Sequence, residues 1–157
     1  MMGNYKFYTP PEVAECLMTV LPEKKYKNVI DICCGSWNLL KAANKVFDIE
    51  EYVGVDIDDS AGKYCLNGAR FVCADGRKFA IEEKKKYDLV LSNPPFGCIK
   101  ENNRVYDKGI HGKENEIKAL HNRRYENEMM QANLLLSKKM VYFYLYFRLL
   151  FLREKRI

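Results

Sequence analysis

Residues Asn93-Pro94-Pro95-Phe96 have the types and the order needed to hold a planar amine. Two prolines directly after a strand cannot continue its hydrogen-bonded ladder, and they fix a rigid, extended turn. We expect this turn to present the Asn93 side chain and the Pro94 carbonyl as acceptors for the amine hydrogens, with Phe96 stacked on the attached ring. The four residues are therefore predicted to form a catalytic corner. The alternative is an ordinary Asn-Pro turn followed by a core phenylalanine.

Acidic residues end three other predicted strands. Asp31 ends the first, and Gly35 opens the turn that follows, where a missing side chain lets backbone N–H groups face a ligand. Asp56 ends the second strand 21 residues after Gly35, a spacing that suits a carboxylate accepting both hydroxyls of a ribose. Asp75 ends the third, within reach of an adenine amino group. Together these strand ends predict a nucleoside-binding edge.

Short apolar runs rich in Val and Ile provide the strands that would position these residues. The first run is followed by a helical pattern over residues 37–47. Continuous apolar strands that alternate with helices indicate a parallel sheet covered on both faces, and such sheets bind ligands beyond the carboxyl ends of their strands. The predicted fold class is therefore α/β, with a doubly wound, mostly parallel sheet. Its first four strands are predicted at residues 28–33, 52–56, 69–73 and 87–92.

The rest of the chain is predicted to complete a single domain over residues 1–157. Thr9-Pro10-Pro11-Glu12 predicts the start of the first helix, with Thr9 as N-cap and Glu12 reaching back as in a capping box. A later helix is predicted near residues 122–136, and an aromatic strand at 141–147. We divide the domain into an N-terminal helix (1–22), the site-bearing strands (28–96), a polar loop (97–124) and a helix with an edge strand (125–157).

Composition limits the classes of protein that the sequence can represent. The 157 residues carry a net charge of +5, which suits a polyanionic partner without requiring one. Six cysteines and two histidines show no zinc-site spacing, so we predict no metal. Most cysteines lie in apolar runs, which predicts buried free thiols and a cytoplasmic location. The longest apolar run, 140–152, is shorter than the roughly 20 residues that span a bilayer, so we expect no membrane association.

Five segments between residues 7 and 97 resemble, in order, the motifs of the gamma-type amino-group DNA methyltransferases, which include restriction-modification adenine-N6 methyltransferases. FYTPPEVA resembles their N-terminal cofactor motif, and DICCGSWNLL their D-x-x-C-G-S-G-x-L-L motif. GVDID resembles the ribose-binding motif, CADG the adenine-contacting motif and NPPF the catalytic motif. The resemblance covers about three-fifths of the chain. The ordered set of motifs is specific, and NPPF is the single member that is specific by itself.

The resemblance implies a Rossmann-like class I methyltransferase fold that uses S-adenosyl-L-methionine to methylate the amine of an adenine flipped out of DNA. The amine would attack the sulfonium methyl group directly. The implied cofactor-binding residues are Phe7, Tyr8, Thr9 and Pro10 around the methionine end, Asp31, Cys33 and Gly35 along the methionine, Asp56 and Ile57 at the ribose, and Asp75 and Gly76 at the adenine. The implied catalytic residues are Asn93, Pro94, Pro95 and Phe96.

The chain departs from this family pattern in two places. Trp37 stands where the family usually has its second glycine, so the indole is expected either to crowd the methionine end of the cofactor or to pack under the sheet. The family fold has seven strands and this chain supplies five, so we expect a sheet incomplete at its C-terminal edge. An unpaired aromatic edge strand predicts self-association, or a partner chain that completes the sheet.

Other functions remain open at this point. The N-P-P-F site also serves methyltransferases that act on RNA guanine or on a protein glutamine, although the FYTPP start favours adenine in DNA. A non-catalytic fragment or subunit that keeps the fold is a second alternative. A nicotinamide-dependent dehydrogenase is disfavoured because the first turn lacks G-x-G-x-x-G.

Overall fold

A computed structural model describes residues 8–21, 25–95 and 125–138. Phe7, Phe96, the predicted polar loop and the predicted strand at 141–147 lie outside these ranges. No helix in the described ranges is long and apolar enough to cross a membrane. The elements are α1 (Pro11–Met18), β1 (Lys25–Asp31), α2 (Asn38–Val46), β2 (Asp48–Asp56), a 3-10 helix (Asp59–Tyr64), β3 (Arg70–Cys73), α3 (Gly76–Glu82), β4 (Leu89–Leu91) and α4 (Tyr125–Leu136).

The four described strands form one parallel sheet in the order β3-β2-β1-β4. The chain winds outward from β1 through β2 to β3, then returns to place β4 on the other side of β1. This reversal is a topological switch point, where open α/β sheets bind ligands beyond the carboxyl ends of the strands. Asp31 lies there, in register with Gly54 of β2 and Leu91 of β4.

Helices cover both faces of the sheet, which explains why the strands read as continuous apolar runs. Successive side chains of a strand point to opposite faces. Val29, Leu89 and Leu91 therefore pack on the side of α1 and α2, whereas Ile30 and Val90 pack on the side of α3 and α4. The predicted α/β, doubly wound, parallel fold is confirmed for the described part of the chain.

Several local predictions are wrong, and tertiary contacts explain the main one. Helix α1 begins at Pro11 with Pro10 as its N-cap, and no side-chain capping bond is present in the described residues. The Thr9 hydroxyl accepts a hydrogen bond from Asn93 instead of capping the helix. Strand β1 starts earlier than predicted and ends at Asp31, because the following residues form the turn into α2. Cys16 and Cys73 are exposed rather than buried.

The Trp37 indole packs under the sheet. Trp37 is completely buried in the core cluster beneath α1 and α2, and its backbone adopts the left-handed conformation with φ of 65°. Its ring lies against Gly54 on β2, where an added Cβ would stand 2.3 Å from Trp37 Cζ2. The glycine at 54 thus provides the space that the tryptophan occupies.

This complementarity predicts a measurable coupling between the two residues. Gly54→Ala is expected to lower the free energy of unfolding by about 1–3 kcal/mol, because the new methyl group overpacks against the indole. The same change in a Trp37→Phe background should cost less than about 1 kcal/mol, since the smaller ring withdraws from β2. A double-mutant cycle by chemical denaturation measures the difference. Equal costs in both backgrounds would contradict the contact.

Candidate active site

A pocket of about 250 Å³ opens at the carboxyl ends of β1 and β4. Five of its lining residues are predicted site residues, namely Tyr8, Thr9, Asp31, Cys33 and Asn93. The structure thus brings the N-terminal segment, the first strand end and the catalytic corner to one place, and Trp37 is not in the lining. Sequence reasoning missed four further lining residues, Cys34, Ser36, Asn38 and Leu39.

Gly35 connects the pocket to the end of the neighbouring strand. Its N–H donates to Asp56 Oδ2 at 2.8 Å, and the N–H of Asp58 donates to Asp56 Oδ1 at 2.9 Å. Gly35 has φ of 46°, and an added Cβ would lie 2.7 Å from the Tyr8 ring. Glycine is therefore required both for the turn and for the close approach of Tyr8. The two bonds fix the Asp56 carboxylate and leave each of its oxygens a further lone pair.

Asp31 is a buried carboxyl group on the pocket wall, with 1% of its surface exposed. Burial raises its pKa to about 7, although the hydrogen bond from the Cys33 N–H opposes the shift, and the charge of Asp56 adds to it. A cation bound beside Asp31 would favour its ionised form and reverse the effect of burial. Perturbed carboxyl groups in clefts are typical of functional sites, and this one suits a positively charged ligand.

Asn93 lies two residues after the end of β4, and the two ends of its side-chain amide differ in their surroundings. Its Nδ2 donates to Thr9 Oγ1 at 3.0 Å. Its Oδ1 is buried and has no hydrogen-bond partner among the described residues. A buried acceptor without a partner costs about 1–3 kcal/mol, and such atoms in native structures call for a specific explanation. Pro94 is buried and Pro95 is exposed. Asn93, a lining residue of the pocket, therefore carries an acceptor whose partner is not among the described residues.

Asp75, the predicted adenine contact, is the N-cap of α3 and is held by Arg77. Arg77 Nη2 and Nε donate to the two Asp75 carboxylate oxygens at 2.6 and 3.0 Å. Arg77 Nη1 donates to Glu128 Oε2 of α4 at 2.7 Å, so a buried ion-pair network joins the two helices. Burial raises the pKa of Asp75, but the hydrogen bonds and charge of Arg77 outweigh it and hold the pKa below its ordinary value.

The two other predicted residues near the adenine end differ in their surroundings. A Cβ on Gly76 would lie 2.4 Å from the Ile32 carbonyl oxygen, so this glycine lets α3 approach the turn after β1. Ile57, directly after Asp56, is 75% exposed and offers a bare apolar surface at the sheet edge. Asp56, Ile57, Asp75 and Gly76 are not part of the pocket lining. Within residues 8–21, 25–95 and 125–138, no group of three or more His, Cys, Asp or Glu could hold a metal ion.

The fold is that of the Rossmann-like methyltransferases. The structure resembles the modification subunit of a putative type I restriction enzyme from Vibrio vulnificus, with a TM-score of 0.59, 21% identity, and coverage of 83% of this chain and 30% of that one. Residues 2–131 match the family described as N-6 DNA methylase, and the chain belongs to that family. The family resemblance predicted from the five sequence motifs is confirmed.

Two curated relatives show how much of a longer protein the chain matches. It is 22% identical over 90 residues to the type II methyltransferase M.CvrRI of Paramecium bursaria Chlorella virus XZ-6E, covering 57% of this chain and 24% of the relative. It is 29% identical over 105 residues to the rRNA N(6)-adenosine-methyltransferase metl-5 of Caenorhabditis elegans, covering 59% and 49%. The chain thus spans less than half the length of either relative.

Proposed function

We propose that this chain binds S-adenosylmethionine at the carboxyl edge of its sheet and transfers the methyl group to the exocyclic amine of an adenine in DNA. The observation that carries the proposal is that Asn93 lines the same pocket as the buried Asp31, and that its Oδ1, which can accept an amine hydrogen, has no partner in the described part of the chain. Membership of the N-6 DNA methylase family and the similarity to a type II methyltransferase support it. The bound cofactor would supply a sulfonium methyl group as the electrophile.

Different residues at the carboxyl edge of the sheet would bind the methionyl, ribose and adenine parts of the cofactor. The pocket at the carboxyl ends of β1 and β4 is small, so it would hold only one end of the molecule. The Asp31 carboxyl group would face the positively charged methionyl end of the cofactor. The same end would be bordered by Phe7, Tyr8, Thr9, Pro10, Cys33 and Gly35. Asp56 would accept the ribose hydroxyls. Ile57, Asp75 and Gly76 would border the adenine.

The catalytic corner would act on the other reactant. Asn93 Oδ1 and the Pro94 carbonyl would accept the two hydrogens of the target amine, which turns its lone pair toward the methyl group. Phe96 would stack on the target ring, while Pro95 keeps the corner rigid. The target base must leave the helix stack, which takes a few kcal/mol, and stacking on an aromatic side chain returns about 1–3 kcal/mol.

The experiment that tests the proposal offers labelled cofactor and three acceptors to the chain: duplex DNA, RNA and protein. We expect label in DNA, recovered as N6-methyladenine. Label in RNA alone would favour the second candidate, an RNA methyltransferase, for which the similarity to metl-5 is the supporting observation. Label in protein alone would favour glutamine methylation. Cofactor binding without transfer to any acceptor would favour the non-catalytic alternative.

The raised pKa of Asp31 gives cofactor binding an expected pH dependence. Below about pH 7 the free protein carries a protonated Asp31, and a cationic ligand must displace that proton. Affinity should therefore rise about tenfold per pH unit between roughly pH 5 and 6.5 and level off above 7. Calorimetry over this range, in buffers of different ionisation enthalpy, measures both the affinity and the released proton. A flat affinity across this range would contradict the role of Asp31.

The same shift makes a prediction about stability, with the sign fixed by linkage. The folded-state pKa of Asp31 lies above its unfolded value, so its contribution to the free energy of unfolding is present at acid pH and is lost as pH rises through 7. An asparagine at position 31 does not ionise, so Asp31→Asn should not lose stability at this position as pH rises. The variant is expected to melt higher than the wild type above pH 7 while binding the cofactor more weakly and without the pH dependence. Thermal melts at pH 5 and pH 8 provide the comparison.

A further inference from the structure

We propose that the Thr9 hydroxyl is a positioning group that sets the orientation of the Asn93 side-chain amide. The inference rests on the proposed function, in which Asn93 must present its oxygen to the target amine. The two ends of an amide have nearly the same shape, so its hydrogen-bond partners decide which end faces a ligand. Thr9 Oγ1 accepts from Asn93 Nδ2 at 3.0 Å, and this bond leaves the buried Oδ1 as an acceptor that has no partner within residues 8–21, 25–95 and 125–138.

The opposite orientation would be incompatible with the chemistry. If Oδ1 faced Thr9, the Nδ2 hydrogens would point at the hydrogens of the target amine, donor against donor. A hydroxyl carries one proton and can also accept. A hydroxyl can therefore bond to either end of the amide, and it selects the Nδ2 end when its own proton is donated to an acceptor of the ligand in the pocket that both residues line. Ligand binding and the orientation of Asn93 are thereby linked through one oxygen atom.

Thr9 is itself held in place for this role. Asn38, the first residue of α2, donates from Nδ2 to the Thr9 backbone carbonyl at 2.8 Å. Thr9 is buried, with 5% of its surface exposed, and its hydroxyl makes no capping bond in the described part of α1. Two hydrogen bonds thus run from α2 through Thr9 to the catalytic corner, across a separation of 84 residues between Thr9 and Asn93.

The test uses three variants at the only two threonines of the chain. Thr9→Val keeps the shape and removes the hydroxyl, whereas Thr9→Ser keeps the hydroxyl. Thr19→Val is the matched control, because the Thr19 hydroxyl donates to the Cys16 carbonyl at the exposed end of α1 and Thr19 is not in the pocket lining. At saturating cofactor, we expect Thr9→Val to lower kcat by about 10–100-fold, in the range of one lost transition-state contact. The cofactor Kd should also rise by about five- to tenfold, because the hydroxyl proton offered to the ligand is lost as well. Thr9→Ser, which restores a hydroxyl, should recover most of the kcat lost in Thr9→Val, and Thr19→Val should retain the wild-type rate.

A second readout needs no activity. In the free protein, the side-chain NH₂ signals of Asn93, assigned by their absence in Asn93→Ala, should exchange with water faster in Thr9→Val than in wild type or Thr9→Ser. An unchanged exchange rate in Thr9→Val would overturn the inference, as would a loss of kcat in Thr9→Ser equal to that in Thr9→Val. Failure of the proposed function is separate, since it would appear as absent cofactor binding or methyl transfer in the wild-type chain.

Discussion

Replacing Asn93 by alanine is expected to lower the rate of methyl transfer by about 10²–10³-fold, the loss typical of removing one group that stabilises developing charge. The Asn93 oxygen is the acceptor that orients the amine, so the loss should fall on kcat. The free energy of unfolding should stay within about 1 kcal/mol of wild type, because losing the bond to Thr9 is offset by removing a buried acceptor without a described partner. Transfer to DNA under saturating cofactor measures the effect.

Asn44→Ala is the matched control for this variant. Asn44 is exposed on α2, where its side chain accepts a hydrogen bond from the Tyr52 hydroxyl outside the pocket. This control should transfer methyl groups at the wild-type rate. An Asn93→Ala variant that keeps more than about a tenth of the wild-type kcat would place the acceptor of the amine elsewhere.

Arg77→Met is expected to lower the free energy of unfolding by about 3–5 kcal/mol, the usual result of removing one partner from a buried ion pair. The Arg77 guanidinium lies between the carboxylates of Asp75 and Glu128, and its side chain is 8% exposed. Without Arg77, two acidic groups would remain buried without this cation. Arg77 Cζ also lies 5.1 Å from the centre of the Tyr125 ring, at the start of α4. Loss of this contact in Arg77→Met should loosen the packing of α4 against α3. Denaturant titration at neutral pH measures the loss.

Two comparisons separate this effect from a general loss of charge. Lys45→Met breaks the exposed pair with Glu15 and should cost about 0–1 kcal/mol. The destabilisation by Arg77→Met should shrink as pH falls through the lowered pKa of Asp75, because protonation of Asp75 removes its ion pair with Arg77 from the wild type as well. An Arg77→Met variant within about 1 kcal/mol of wild type at neutral pH would show that the network contributes little to the fold.

The order of apolar runs and polar strand ends along the sequence is enough to predict the sheet and much of the candidate site. Strand ends can be identified from apolar runs, and the carboxyl ends of parallel strands meet at one edge, so the sequence by itself predicts that Asp31 and Asn93 converge. Gly35 and Asp56 are predicted at the same edge for the same reason. The structure adds the hydrogen bond that joins these two residues.

Features that depend on contacts between distant residues cannot be predicted in this way. Thr9 fits a local capping pattern, but its hydroxyl bonds to a residue 84 positions later. Arg77 follows Asp75 closely enough for that pairing to be suspected, whereas Glu128 is 51 positions away from Arg77 and carries no sequence signal. The direction of the Trp37 ring depends on a glycine facing it from β2. Sequence patterns describe each element, and side-chain partners across elements require the structure.

Calorimetric titration of the chain with S-adenosylmethionine tests the central claim most directly. We expect saturable binding of one cofactor per chain at neutral pH and markedly weaker binding by Asp31→Asn. Absence of heat with protein and ligand both at several hundred micromolar, in two buffers of different ionisation enthalpy, would contradict a cofactor site at the ends of β1 and β4.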